Sequence, residues 1–131
     1  MADSIGMMNN AYIISRTELL KWINNTLQVQ NRSNIKLNLQ KIEELGTGAV
    51  YCQLFDAVYP GKISLKKVKW TANLEYEYLH NFKILQTAFA KANHKKYIDV
   101  QKLAKAKYQD NLEFAQWFKA LYDTNGGGQR T

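Results

Sequence analysis

Apolar residues recur every three or four positions along most of the chain, which is the period of an amphipathic helix. On the first predicted helix they are Leu19, Trp22, Ile23 and Leu27. Ser15 and Glu18 stand just before this run at the spacing of a capping box, which predicts that the helix begins there. No useful stretch shows the strict alternation of a half-buried strand. The pattern predicts an all-α domain with about six helices.

Turn and cap residues divide the next part of the chain into two helices. A short helix is predicted in the sequence LNLQKIEEL and is expected to end at Gly46. Thr47 is expected to cap the apolar stretch GAVYCQLFDAVY. Pro60 and Gly61 then predict a turn that ends this helix.

A long central helix and two later helices follow. Asn73 is expected to be the N-cap of the long helix. Its apolar face is predicted to carry Leu74, Tyr78, Phe82, Leu85 and Phe89. Asp99 is expected to open a short helix, and Asp110 with Glu113 resembles a capping box before LEFAQWFKALY. Together these segments account for the predicted six helices.

The positive charge is concentrated in the central third of the chain. Eleven lysines and three acidic residues lie from Lys62 to Lys107, so this segment carries a formal charge of +8. The rest of the chain carries −1, against +7 for the whole. Such clustering favours an acidic partner, which composition alone leaves open as nucleic acid, anionic lipid or an acidic protein.

Residues with catalytic or metal-binding chemistry are sparse. His80 and His94 are isolated, and His80 is interpreted as a packed or hydrogen-bonded histidine. Cys52 is interpreted as a small core residue, and a single cysteine without a secretory signal favours the cytoplasm. No nucleotide-binding loop and no apolar run of about 20 residues occurs. We therefore expect no enzyme activity, no cofactor or metal, and no membrane partner.

Several motifs occur together in a recognisable order. They are WIN (22–24), KIEEL (41–45), YCQ (51–53), PG (60–61), LKKVK (65–69), NFKILQ (81–86) and KLAKAKYQDNLEFAQWFK (102–119). From about Ser15 to Asn125 the chain resembles the N-terminal calponin-homology domain of the end-binding (EB) family of microtubule plus-end tracking proteins. The combination of LKKVK with KAKYQDN is typical of the EB branch.

The resemblance implies a compact calponin-homology-type fold that binds tubulin in the microtubule lattice. EB domains bind the groove where four tubulin dimers meet, recognise the nucleotide-dependent lattice at growing ends and do not hydrolyse GTP. The expected location is the cytoplasmic cytoskeleton at microtubule plus ends, with the spindle and the microtubule-organising centre as further sites. An actin-binding calponin-homology module and a basic nucleic-acid-binding helical domain are the alternatives.

Matching the family motifs by position also implies which residues contact microtubules. They are Lys66, Lys67, Lys69, Lys96, Lys107 and Gln109, with Arg16 as a weaker candidate. Val68 and Trp70 are expected to anchor the LKKVKW segment in the core, while its lysines face the lattice.

Three departures from the family pattern qualify this picture. The segment from Val29 to Lys36 is an insertion, interpreted as a surface loop, and Asn73 stands where the family commonly has a lysine. We expect residues 1–14 to be a flexible segment, 15–125 the calponin-homology domain, and 126–131 a glycine-rich end or linker start. Because no heptad pattern follows, this chain is expected to be monomeric, whereas a coiled coil would dimerise the full-length protein.

Overall fold

The structure is a computed structural model that describes residues 14–29 and 38–125. Every regular element in these two ranges is a helix, which confirms the all-α prediction. The α-helices are α1 (Arg16–Val29), α2 (Ala49–Val58), α3 (Glu75–Lys91), α4 (Val100–Leu103) and α5 (Tyr108–Thr124). Two 3₁₀ helices complete the set, the first at Ile42–Thr47 and the second at Leu65–Lys67. Val29, the first residue of the predicted insertion, is the last residue of α1. The rest of the insertion, most of the N-terminal segment and the glycine-rich end lie outside the described residues.

Helix α2 lies at the centre of the molecule. Nine of its ten residues are buried, so it packs on all sides, against α3, α5 and the first 3₁₀ helix. Its Tyr51 ring lies 5.7 Å from Phe82, 4.7 Å from Phe114 and 5.7 Å from Phe118, centroid to centroid. Cys52 is fully buried beside it, which confirms its interpretation as a core residue. Burial of these large side chains is the main source of stability for the fold.

Two of the predicted helix starts are confirmed. The Glu18 backbone N–H donates to Ser15 Oγ at 3.1 Å, at the start of α1. The Lys102 backbone N–H donates to Asp99 Oδ1 at 3.2 Å, at the start of α4. In both helices a short polar side chain satisfies a backbone donor that has no partner within the helix.

The predicted N-cap of α3 is wrong by one residue, whereas Glu75 and Glu77 lie in the first turn as predicted. Leu74, and not Asn73, is the N-cap residue, and the Asn73 backbone N–H donates to Glu77 Oε1 at 3.0 Å. The predicted apolar face holds for Phe82, Leu85 and Phe89, which are buried, and Tyr78 is half-buried. It fails at Leu74, because that residue precedes the helix and half of its surface is exposed.

The predicted start of α5 is also wrong. The helix begins at Tyr108 with Lys107 as its N-cap residue, so Asp110 lies in the first turn. The reason is the buried Asn111, whose Nδ2 donates to the Lys107 carbonyl at 3.0 Å and to the Leu103 carbonyl at 3.3 Å. This amide satisfies backbone oxygens of the preceding turn and stabilises the earlier start.

The short helix predicted in LNLQKIEEL forms as a 3₁₀ helix that begins only at Ile42. Asn24 accepts from the Leu39 backbone N–H at 2.8 Å and donates to the Leu39 carbonyl at 3.1 Å. These bonds to α1 engage the backbone at Leu39, which would otherwise be available to a helix. Only a 3₁₀ helix forms, and it continues past Gly46 to Thr47.

The predicted boundaries of α2 are close to the observed ones. Gly48, with φ of 82°, is the N-cap residue, while Thr47 Oγ1 accepts from the Ala49 backbone N–H at 3.3 Å. Thr47 therefore supplies a capping bond from one position before the cap. The predicted turn at Pro60 and Gly61 follows the end of α2 and is confirmed.

Candidate functional site

The segment of residues 65–70, called the lysine loop here, connects α2 to α3. Lys66, Lys67 and Lys69 are exposed, and none forms an ion pair with another described residue. Val68 is buried and Trp70 is half-buried against the hydrophobic core. The expected anchoring of the loop by Val68 and Trp70 is therefore confirmed, and the lysines lie on its outer side.

A buried asparagine on α3 fixes the backbone of this loop. Asn81 Oδ1 accepts from the Lys69 backbone N–H at 2.8 Å, and Asn81 Nδ2 donates to the Lys69 carbonyl at 3.1 Å. The same Nδ2 donates to the Thr47 carbonyl at 2.9 Å. Sequence reasoning missed this residue, although a polar side chain within the apolar face of α3 was a usable signal.

A second hydrogen bond from α3 holds the loop two residues earlier, at Lys67. His80 Nε2 lies 2.8 Å from the Lys67 carbonyl oxygen. Because a carbonyl oxygen only accepts, Nε2 carries the proton and donates. This confirms the prediction of a hydrogen-bonded histidine. With its backbone held at Lys67 and Lys69, the loop presents its lysines from a fixed main chain.

Residues 104–107, called the lysine turn here, form a second basic segment. Lys105 and Lys107 are exposed, and Asn111 holds the Lys107 carbonyl as described above. The Tyr51 hydroxyl donates to Asn111 Oδ1 at 2.8 Å, which ties this amide to the centre of the core. Ala106 occupies the left-handed region with φ of 57°, where a side chain adds strain.

The first 3₁₀ helix lies between the lysine loop and the lysine turn. A Cβ at Gly46 would be only 2.5 Å from Ala106 Cα, so the two backbones approach too closely for any larger residue. The next residue, Thr47, is the one whose carbonyl accepts from Asn81. The lysine turn therefore packs directly on this short helix, and the lysine loop is linked to it through Asn81.

An ion pair also joins the start of α3 to the lysine turn. Lys105 Nζ lies 3.6 Å from Glu75 Oε2, and both side chains are about half exposed. Such an exposed pair stabilises the fold only slightly, by about 0–1 kcal/mol. The pair matters here because it shows that the first turn of α3 lies beside the lysine turn. We call the lysine loop, the lysine turn and this first turn of α3 the basic face.

Two further predicted contact residues lie next to the lysine turn. Arg16 is exposed and lines a surface groove of about 360 Å³ together with Tyr108, the residue after Lys107. Gln109 is exposed and donates from Nε2 to Glu113 Oε2 at 2.8 Å. Lys107 and Gln109 therefore flank Tyr108, whose groove Arg16 of α1 also lines.

Lys96 differs from the other predicted contact residues. It is half-buried, and its ammonium lies 4.9 Å from the Trp117 ring centroid, within cation–π distance. It lines a groove of about 230 Å³ with Lys102 and with three carboxylates, those of Asp99, Asp110 and Glu113. The charge of this groove is therefore nearly balanced, unlike that of the lysine loop.

The described residues provide little for catalysis or metal binding. Burial raises the pKa of the Cys52 thiol far above its ordinary value, which disfavours the reactive thiolate. In the described ranges no three His, Cys, Asp or Glu side chains come together to hold a metal ion. None of the described helices is long and apolar enough to cross a membrane.

Comparison with known proteins agrees with this description. Residues 13–127 match the family described as the calponin homology (CH) domain, a helical class of domain. The chain is 49% identical over 129 residues to the microtubule-associated protein RP/EB family member 1C of Arabidopsis thaliana, across 98% of this chain. A solved structure described as "Structural Basis of Microtubule Plus End Tracking by XMAP215, CLIP-170 and EB1" has 48% identity and a TM-score of 0.71. That alignment covers 80% of this chain and 82% of the solved one. The chain belongs to the calponin-homology family, in its end-binding branch.

The chain spans about a third of the length of the Arabidopsis relative, since the alignment covers 37% of that protein. The similarity therefore concerns one domain of a longer relative.

Proposed function

We propose that this chain is the microtubule-binding domain of an end-binding protein that tracks growing microtubule ends and regulates their dynamics. The proposal is supported by 49% identity to a protein named as microtubule-associated. It is also supported by the similarity to a solved structure that concerns plus-end tracking. The partner is tubulin in the microtubule lattice, and the location is the cytoplasmic cytoskeleton at plus ends, including the spindle.

The fixed lysine loop is the observation that carries this proposal. Its three lysines have no ion pair among the described residues, so an acidic partner meets unneutralised charge. The bonds from Asn81 and His80 already order the main chain, so binding loses less conformational entropy. An acidic tubulin surface gains both association rate and orientation from such a face.

Recognition of the nucleotide state is part of the proposal and has a stated physical requirement. The domain must have different contact free energies with the two lattice states, because equal affinities produce no preference. A face with a fixed backbone suits this task, since it cannot adapt equally well to two different lattice shapes. We assign the domain no catalysis, no cofactor and no nucleic-acid partner. The full-length protein is proposed to dimerise through a coiled coil, which would add avidity.

The experiment is cosedimentation of the domain with microtubules in a GTP-like state and in a GDP state. Actin filaments and duplex DNA serve as parallel controls at the same ionic strength. We expect tighter binding to the GTP-like lattice and no significant binding to actin or DNA. Binding to actin alone would favour an actin-binding calponin-homology module, and DNA binding with steep salt dependence would favour the nucleic-acid alternative. Equal affinity for both lattices would reject state recognition by this domain.

A further inference from the structure

Large apolar side chains are exposed at only three places in the described residues. Leu74 is 50% exposed, Tyr76 is 65% exposed and Tyr97 is 77% exposed. Two of the three lie two positions apart at the start of α3. Neither side chain is part of the hydrophobic core, and an exposed apolar pair at one place on the surface suggests an external contact.

Contacts with both basic segments locate this pair on the basic face. Lys69 Nζ, from the lysine loop, lies 6.0 Å from the Tyr76 ring centroid. Glu75, between Leu74 and Tyr76, is paired with Lys105 of the lysine turn. The apolar pair therefore lies between the two groups of lysines.

We propose that Leu74 and Tyr76 form an apolar contact with tubulin at the centre of the basic face. The inference rests on the proposed function, and it adds two binding residues that carry no charge. Its support is the position of the pair between lysines of the two basic segments.

Glu75 and Glu77 flank Tyr76, but Glu75 is paired with Lys105 and Glu77 accepts from the Asn73 backbone N–H. The lysines of the loop have no carboxylate partner among the described residues, so this surface keeps a positive excess that suits an acidic partner. Interface energy is commonly concentrated in a few central residues, often tyrosines, with a charged rim that excludes water.

Tyr97 is not included in the proposal, although it is the most exposed of the three. It lines the groove of Lys96, where Asp99, Asp110 and Glu113 contribute three carboxylates. An acidic partner gains little attraction at this groove, because its positive and negative charges nearly cancel. Tyr97 is therefore a matched control of the same residue type and similar exposure.

A central apolar contact predicts a specific dependence on salt. Salt screens the attraction between exposed charges, whereas it does not screen burial of a tyrosine ring. Removal of the ring should weaken binding by a similar factor at all salt concentrations. Removal of the Lys69 ammonium should weaken binding mainly at low salt.

The test is microtubule cosedimentation of Tyr76→Ala, Leu74→Ala, Tyr76→Phe and Tyr97→Ala at several salt concentrations. We expect about tenfold weaker binding for Tyr76→Ala and about threefold for Leu74→Ala, in the range of interface truncations. Tyr76→Phe should remain within twofold, because the ring and not the hydroxyl makes the contact. Tyr97→Ala should also remain within twofold, and thermal unfolding should confirm that every variant is folded.

Two outcomes separate this inference from the function on which it rests. If the unchanged domain binds microtubules and folded Tyr76→Ala binds equally well, the apolar contact is wrong and the proposed function stands. Equal losses for Tyr76→Ala and Tyr97→Ala would also overturn it. If the unchanged domain fails to bind microtubules, the proposed function fails and the inference fails with it. Lys69→Ala, measured alongside, supplies the expected salt-sensitive loss.

Discussion

The lysine loop and the groove around Lys96 contain the same kind of predicted contact residue in different surroundings. In the loop the main chain is bonded to Asn81 and His80, and Lys66 and Lys67 are exposed with no ion pair among the described residues. In the groove the Lys96 ammonium lies over Trp117, near three carboxylates. A lysine whose charge is already engaged gains less from an acidic partner than one that is not. Residue type alone therefore does not rank the predicted contacts.

The loop also shows that a binding surface depends on residues that cannot touch the partner. Asn81 is fully buried and yet determines where the backbone of Lys69 lies. Asn111 has the same role at Lys107. Both are positioning residues, because they fix a backbone without touching the partner. Removal of Asn81 should therefore disturb the lysine loop more than any change to an exposed lysine.

The largest effect is expected for Asn81→Ala. The change removes three hydrogen bonds and leaves partly buried backbone groups of Lys69 and Thr47 without this partner. We expect the free energy of unfolding to fall by about 2–4 kcal/mol, as for loss of buried polar partners. Urea denaturation measures this change. Asn73→Ala is the control, since this exposed amide should change stability by less than about 0.5 kcal/mol. Similar stabilities for the two variants would contradict the positioning role.

Charge reversal in the loop should come next. Lys66→Glu replaces an attraction to tubulin by a repulsion, so we expect at least tenfold weaker microtubule binding, about 1.4 kcal/mol or more. The fold should be unaffected, because Lys66 is exposed. Lys21→Glu is the matched control, since it makes the same change in net charge at an exposed position of α1. Unchanged affinity of folded Lys66→Glu would count against the microtubule assignment.

A smaller loss of binding is expected for Lys96→Glu, about threefold, because this ammonium is already engaged and the surrounding charge is nearly balanced. The change should also lower stability by about 0.5–1 kcal/mol through loss of the contact with Trp117. Cosedimentation and thermal unfolding of the same sample measure both effects. A loss of binding equal to that of Lys66→Glu, at unchanged stability, would remove the distinction between the two regions.

The smallest effect is expected for Ala106→Gly in the lysine turn. Ala106 has φ of 57°, where glycine is unstrained, so we expect stability to rise by about 0.5–1 kcal/mol. Ala104→Gly is the control, for which we expect a change in stability of the opposite sign. Ala104 has right-handed geometry and is buried, so the same substitution should destabilise by about 1 kcal/mol. Thermal unfolding of both variants tests the difference, and a destabilised Ala106→Gly would contradict the strain at this position.

Much of the fold could be predicted because its signals are local. The cap at Ser15, the short helix after Asp99 and the turn at Pro60 and Gly61 each depend on residues within a few positions. The predictions failed where a distant side chain competes for the backbone. Asn24 engages Leu39, 15 positions away, and only a 3₁₀ helix follows.

The features of the candidate site also fall into two groups, those that local sequence predicts and those that depend on distant residues. The lysines of residues 65–70 and the KAKYQDN motif are visible in the sequence, and the anchoring of the loop by Trp70 follows from its neighbours. The role of Asn81 was not predicted, because it depends on the packing of α3 against two other segments. The exposure of Leu74 was missed because helical periodicity was extended one residue beyond the start of the helix.

The sequence by itself determined the helical periods, most turns, the concentration of positive charge and the family. These properties depend on hydrogen bonds and side-chain spacings within about one turn of the chain. Only the tertiary structure decided which lysines have a fixed backbone and which apolar residues remain outside the core. Asn81 bonds to residues 12 and 34 positions away, so its partners exist only after the helices have packed. Long-range packing, which local periodicity does not encode, therefore turns a basic segment into a defined surface.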